Sequence, residues 1–397
     1  MDRRLASEFN QEEVARLERV LTMEKVLANN IPWEKLAQST VIEQKELQLI
    51  QRYDKQMPLT KKRMLDEDGP LYAEVLMNLV VKLNSDEFLR YVLALIDEML
   101  SASDSRVALF VQLGQNSESL PFQPFLHHLD RKNPDVFIVS SASKILATLL
   151  MRGVRYGARP ERVRQHASNL FKWLADRLSQ SDAQPEMTQA LLLSLRTLLR
   201  NQEFRVLFDQ QDGINLLCAL LKSQYHQTVY HALFCLWLLS YNQKLASTRF
   251  PETTVCSRIV DTIKNVQREK IVRISIATLR NLSDHSRENC LHMVEAGFMK
   301  ILPNLLMRKW GDDELEGNLH ALNDTLQDVM SELGSWDRYK AEILSGELEW
   351  SMVHKSDRFW REHASNFSEN NFQIPGVLID IISNSQNPKV RRYWTIV

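Results

Sequence analysis

Glycine is scarce in this chain. Only 11 occur in 397 residues, where average usage of about 7% would give roughly 28, and the 12 prolines also fall below the ~5% norm. Sheets need glycine for tight turns, and nucleotide-binding α/β folds need it for close phosphate approach. Its scarcity argues against both and for helix joined to helix. An excess of one charge is missing too: 49 Lys+Arg stand against 50 Asp+Glu, a net charge of −1, which leaves no global attraction for nucleic acid or anionic lipid. Long apolar runs are absent. The longest, Ala232 to Leu239, has about eight residues against the ~20 of a membrane-spanning helix, so direct membrane insertion is not expected. Arg3 and Arg4 are followed by Glu8, Glu12, Glu13 and Glu18 with no apolar core. That fits neither a secretory signal nor a transit peptide and points to the cytosolic side of the cell. The four cysteines, Cys218, Cys235, Cys256 and Cys290, form no C-x-x-C pair and lie in or beside apolar helical stretches, which reads as free, packed thiols.

What is present is helical periodicity from end to end. Asn10 with Glu13, and Asn84 with Glu87, have the spacing of a capped helix start, before Val14, Leu17 and Leu21 in one case and Phe88, Val92, Leu95 and Met99 in the other. Ile31-Pro32-Trp33 reads as a turn into a helix, and Asp68-Gly69-Pro70 as a break. Three segments then place apolar or small residues in the same columns: Thr188, Leu192, Leu195, Leu198; Val229, Leu233, Leu236, Leu239; Val272, Ile276, Leu279, Leu282, at offsets of 41 and 43. Leu207, Gly213, Ile214, Leu217 and Leu221 match Leu291, Gly297, Phe298, Ile301 and Leu305 at offset 84, each Gly suiting a turn of positive φ before the next helix packs back. Weaker copies fall at 88–99 and 138–149. A period of about 42 residues is the armadillo/HEAT spacing. It predicts an all-α fold, a solenoid whose units bury their apolar faces by stacking and offer a groove and a wide lateral surface for binding.

Catalytic signatures are missing. Gly153 and Gly157 have no Lys-Ser/Thr behind them, so no phosphate loop is formed. Arg152, Arg155, Arg159, Arg162 and Arg164 suit a solvated loop, an acidic protein partner or nucleic acid. His127-His128 lacks a carboxylate or thiol at metal-site spacing and reads as a surface or groove pair. Ser117 lies in no nucleophile elbow. The reading is a protein that is not an enzyme, with no cofactor and no metal. Past residue 310 an acidic run, Asp312 to Glu316, opens a helix through Leu322, Leu326, Val329 and Leu333. Then come Trp336, Tyr339, Trp350, Phe359 and Trp360 within 25 residues, either the core of a domain joint or an exposed docking surface.

Several stretches together resemble the H-subunit family of the vacuolar-type proton-translocating ATPase. They are IPWEKL at 31–36, LQLIQRYDK at 47–55, MLDEDGP at 64–70, YVLALIDEML at 91–100, CLWLLSY at 235–241 and EKIVRI at 269–274, then SGELEWSMVHKSDRFWRE at 345–362 and FSENNFQI at 367–374. DEDGP, ALIDEML and WLLSY are most like plant members. The resemblance implies a non-catalytic subunit on the peripheral, ATP-hydrolysing sector, on the cytoplasmic face of the vacuolar and endomembrane system. Its implied partners are other subunits of that ATPase: the peripheral stalk or stator and, through a C-terminal domain, the rotor or membrane sector. It also implies support of coupled hydrolysis and proton transport, and silencing of hydrolysis in the free sector.

On this basis the expected domains are an armadillo/HEAT-like solenoid at 1–345, a linker at 346–352, and a short second helical domain at 353–397. Trp336, Trp350, His354, Lys355, Phe359 and Trp360 are the candidates for partner contact or the domain joint. Family members continue beyond Thr395-Ile396-Val397, so this second domain is expected to be truncated and its inhibitory bridge impaired. Pro375 is expected to break or shift a helix beginning near Val377. A peptide-gripping adaptor of the importin or catenin kind is the competing reading, but its Trp-x-x-x-Asn ladder is missing: Trp237 is followed four residues on by Tyr241, and Asn281 has no Trp at 277.

Overall fold

The computed structural model describes residues 23–38, 42–115, 117–131, 135–180, 185–266, 268–333, 336–345, 353 and 356–384. Among them are helices and turns without a strand, as the glycine scarcity predicts. They group into two compact units, Met1–Leu245 with Glu269–Ile274, and Ala246–Arg268 with Ser275–Val397.

In the first unit α1 (Trp33–Gln38) and α2 (Gln44–Tyr53) lead into α3 (Pro58–Lys82), α4 (Asp86–Ala102) and α5 (Val107–Leu113). Then come α6 (Gln123–Leu129), α7 (Val136–Gly153), α8 (Pro160–Ser179), α9 (Pro185–Leu198), α10 (Gln202–Asp209), α11 (Gly213–Leu220) and α12 (His226–Ser240). Helices α4, α7, α9 and α12 pack each on the next, and the columns read from the sequence are the packed ones. Val92, Leu95, Met99, Ile138, Ala142, Leu192, Leu195, Leu198, Leu233, Leu236 and Leu239 are all fully buried. Each buried leucine contributes about 1.5–3 kcal/mol, which explains why no single repeat stands alone. The stretch Val136–Tyr156 is, by length and composition, apolar enough to cross a membrane, which the expectation from uninterrupted runs missed because serines and threonines divide it. It packs against α4, α5, α6, α8 and α9, as a core helix does.

Local details depart from expectation in two places, at the start of α4 and at Gly213. The break expected at Asp68-Gly69-Pro70 is present: Asp68 leaves helical geometry (φ −126°, ψ 26°), and α3 is two helical stretches joined across that kink. Pro70 lacks an N–H and crowds the preceding turn, which the kink relieves. A Cβ on Gly69 would stand 2.8 Å from a Leu109 methyl of α5. The cap of α4 is Ser85, one residue after the expected Asn84, which leaves Asp86 and Glu87 in the first turn where the helix dipole favours carboxylates. Gly213 is not the left-handed residue of its turn. Asp212 is, at φ 54°, whereas Gly297 has φ 78° as expected. Aspartate tolerates this region, and Gly213 answers to space instead: a Cβ there would lie 2.4 Å from the Phe208 ring. The Asn10 capping box lies outside the described residues.

In the second unit α13 (Val255–Asn265), the later part of α14 (Glu269–His285), α15 (Arg287–Glu295), α16 (Phe298–Met307) and α17 (Asp313–Leu333) repeat the scheme, α15 packing on α13 and α17. Ile276, Leu279, Leu282, Leu322 and Leu326 are fully buried. Then follow α18 (Trp336–Ser345), α19 (Asp357–His363), a 3₁₀ segment (Ala364–Phe372) and α20 (Gln373–Asn384). The helix expected near Val377 starts at Gln373, after Phe372 turns the chain with φ 61°. Pro375 therefore sits in the first turn, where its missing N–H would have had no partner.

Candidate functional site

Trp336, Phe359 and Trp360 come together in the second unit; Trp350, His354 and Lys355 lie outside the described residues. Ser356 starts α19 by accepting the Phe359 N–H at its hydroxyl, 3.2 Å, so Phe359 and Trp360 fall in the first turn. On α18, Trp336, Tyr339 and Ile343 share one face by their 3, 4 spacing. Phe359 is buried with Tyr339, Ile343, Val353 and Ile374, and Trp336, Trp360 and Phe367 pack half-buried around them. The Trp336 ring lies 4.8 Å from Phe367 edge to face, and 5.8 Å from His363 stacked; Trp360 stacks on Phe367 at 5.4 Å. Such pairs add about 0.5–1.5 kcal/mol each beyond burial. Burial pushes the Tyr339 phenol up, with Glu342 adding to the shift. Among the described residues the aromatic segment is thus a packed core within its own unit, with Trp336, Trp360 and Phe367 half-buried around it.

The first unit holds a groove of about 550 Å³, lined among others by Arg90, Ser140, Ala190 and His231, residues that sequence reasoning did not single out. These four occupy one column of α4, α7, α9 and α12, two residues after the repeat's first apolar position. Their types share nothing, so no motif marks them. Two ion pairs line the groove, Arg90 with Asp135 and Lys144 with Asp97, both at 2.7 Å, and the exposed Glu186 lines it too. Asp135 also caps α7 by accepting from Phe137 and Ile138 N–H. Arg196 donates to His231 Nδ1 at 2.9 Å and lies 3.7 Å over the Phe234 ring. Since a guanidinium has only donors, it fixes the ring proton of His231 on Nε2.

Several of the remaining candidates bond within the fold. Arg162 donates to the carbonyls of Gly114, Glu118 and Leu120 at 2.9, 2.5 and 2.8 Å, while Arg152 pairs with Asp104 and Arg164 with Glu203. His127-His128 is not a surface pair throughout: His128 is buried, its Nε2 bonded to the Val80 carbonyl at 2.6 Å. The four cysteines are buried and form no disulfide, and burial pushes the Cys235 thiol up to about 12, far from a reactive thiolate. Among the described residues there is no group of three or more metal-ligating side chains. Asp54 joins three elements, accepting from the Trp33 indole at 2.9 Å and the Tyr91 hydroxyl at 2.5 Å.

Two family models match the chain in order, both described as the H subunit of the V-ATPase, an N-terminal one over residues 20–326 and a C-terminal one over residues 332–395. The probable V-type proton ATPase H subunit of Oryza sativa subsp. japonica is 34% identical over 383 residues, covering 92% of this chain and 83% of that one. The V-type proton ATPase H subunit of Dictyostelium discoideum is 32% identical over 368 residues, covering 91% and 80%. The Drosophila melanogaster protein of the same name is 30% identical over 370 residues, covering 91% and 76%. A designed armadillo repeat protein superposes with a TM-score of 0.51 at 15% identity over 65% of this chain and 99% of its own length, a likeness of fold alone.

Proposed function

The chain belongs to the V-ATPase H-subunit family, and on that premise we propose that it works as a non-catalytic, regulatory subunit on the peripheral sector of the V-type proton ATPase, supporting ATP hydrolysis coupled to proton transport. The observation that carries the reading is the ordered match of both family models along one chain. The architecture supports it. A stack of helices whose buried columns are spent on packing, and whose chemistry-bearing side chains are spent on caps and ion pairs, offers surface to partners. Other subunits of the ATPase are the partners, and the cytoplasmic face of the endomembrane system is the location. Trp336, Phe359 and Trp360 set the shape of the C-terminal part, and partner contact there falls to the side chains around them.

An adaptor for acidic peptides gains no support from the groove, where Arg90 and Lys144 already pair with Asp135 and Asp97, nor from Trp237, whose ring meets Tyr241 at 5.0 Å. The test is reconstitution. V-ATPase stripped of its own H subunit and held in sealed vesicles is supplied with the full chain, and ATP-driven proton uptake and co-sedimentation with the vesicles are measured. Recovery of both is expected; a chain that neither binds nor restores uptake refutes the proposal.

A further inference from the structure

The connection between α5 and α6 is gathered around one side chain. Arg162, in the first turn of α8, donates to the carbonyls of Gly114, Ser117, Glu118 and Leu120 at 2.9, 3.4, 2.5 and 2.8 Å. The fit is close: a Cβ on Gly114 would stand 2.7 Å from the Leu120 carbonyl oxygen and 3.3 Å from Arg162 Nη1. One turn further along the same face of α8, His166 meets the Phe122 ring with centroids 5.1 Å apart, and both side chains are buried. A guanidinium and then an imidazole therefore hold the connection on α8.

The imidazole is placed to be neutral. Its Nδ1 is buried without a hydrogen-bond partner, so a protonated ring would bury an N–H that has no acceptor. Arg162, four residues away on the helix, repels a second positive charge. The carboxylates of the surrounding elements do not offset this: Asp104 pairs with Arg152 and Glu203 with Arg164, while Glu118, Asp130 and Glu161 are exposed. Burial first, and Arg162 second, hold His166 below its ordinary 6.5.

We infer that residues 117–122 form an acid-released flap, held on α8 by Arg162 and neutral His166 and freed when that imidazole takes up a proton. With the flap open His166 reaches water, so the open form binds the proton first. The flap is accordingly closed above about pH 6.5 and opens as the pH falls through that value. Arg162 keeps its charge throughout and supplies the repulsion, while His166 is the switch. Opening returns four carbonyls to solvent and uncovers Phe122, which changes the surface of the first unit beside α8.

The experiment follows a nitroxide on Ser119→Cys, an exposed position in the flap, by electron paramagnetic resonance of the full chain at pH 7.5 and 5.5. The native cysteines are buried, and the same label on Lys172→Cys, exposed on α8, reports on the helix. The mobile population at position 119 is expected to rise by up to about tenfold in acid, the most that one proton of ordinary pKa 6.5 supports over this interval, with no change at position 172. His166→Gln and His166→Phe cannot take the proton and should keep the flap closed at both pH values; circular dichroism verifies the folding of each, and either one suffices. Arg162→Gln should be mobile already at pH 7.5. Equal mobility at both pH values in the wild-type background, or a rise that persists in the His166 variants, overturns the inference. So does mobilisation of position 172 together with 119, which would mean that α8 itself unfolds, or an Arg162→Gln flap as immobile at pH 7.5 as wild type.

Discussion

Replacing Gly213 by alanine tests whether that glycine serves a turn or a close approach. A Cβ at this position would stand 2.4 Å from two ring carbons of Phe208 and 2.7 Å from its carbonyl oxygen, against the 3.4–4 Å of ordinary contact, so something must yield by about 1 Å. Phe208 has little freedom to yield. It is fully buried, and its ring lies 5.5 Å from Phe171, itself fully buried. Overpacking of this kind costs about 1–3 kcal/mol, and the cost should appear where α8, α10 and α11 meet.

The comparison that makes the test sharp is the same substitution elsewhere. Gly317 in α17 has nothing within 4 Å of its would-be Cβ, so Gly317→Ala should gain roughly 0.5–1 kcal/mol from lower backbone entropy and better helix propensity. Gly297 has open space but a φ of 78°, and Gly297→Ala should lose about 1–2 kcal/mol to the left-handed conformation alone. Urea unfolding gives the three signs. Amide hydrogen exchange gives their locations, which matters because stacked repeats need not unfold in one step. If Gly213→Ala is as stable as wild type, or loses protection only at the 212–213 turn, the close-approach reasoning is wrong.

Phe359→Ala should cost about 3–5 kcal/mol and abolish the near-ultraviolet circular dichroism of the Trp336–Trp360 cluster; retention of that signal would show that the rings do not depend on it. Asp54→Ala removes the acceptor for the Trp33 indole and Tyr91 hydroxyl and should cost about 2–5 kcal/mol by leaving both donors buried, checked by melting of the full chain against Asp54→Asn, which keeps an acceptor. His128 and His166 are held below their ordinary 6.5 by burial, with the cations Arg131 and Arg162 adding to it. The unfolded chain binds those protons first, so stability is full above about pH 6.5 and falls as the pH drops through that value toward the lowered folded ones. Urea midpoints at pH 7.5 and 5.5 that agree in wild type, or that differ equally in His128→Gln/His166→Gln, would contradict this.

The parts of the fold legible in sequence were those that packing repeats. The columns beginning at Thr188, Val229 and Val272 were readable because stacking makes the same demand every 41–43 residues, and a demand repeated three times stands out from chance. Helix starts were less legible. Asn84, Ser85 and Asp86 are all competent caps, and which one serves depends on where the preceding helix delivers the chain. Pro375 illustrates the same limit, since its cost depends on whether the helix has already begun. The left-handed turn at Phe372 decides that, and no residue type announces it.

The candidate site was legible in density and illegible in direction. Five aromatics between Trp336 and Trp360 mark a place where much apolar surface must go, but clustering has no sign: a buried core and a docking face contain the same residues. The capped first turn of α19 turns Phe359 inward while Trp336 and Trp360 stay half-buried beside it, and Ser356, the cap, was not distinctive beforehand. The reverse holds for α16. Its sequence satisfies the repeat at Ile301 and Leu305 as fully as α11 does at Leu217 and Leu221, so periodicity predicts burial for both. Leu217 and Leu221 are buried, whereas Ile301 and Leu305 are half-buried. Only the difference in exposure between equivalent columns separates the helix that completes its own repeat from the one that leaves apolar surface outside. In a repeat protein that difference is informative because each copy serves as the control for the other: equal sequence demand and unequal cover separate what the repeat requires from what its neighbours supply.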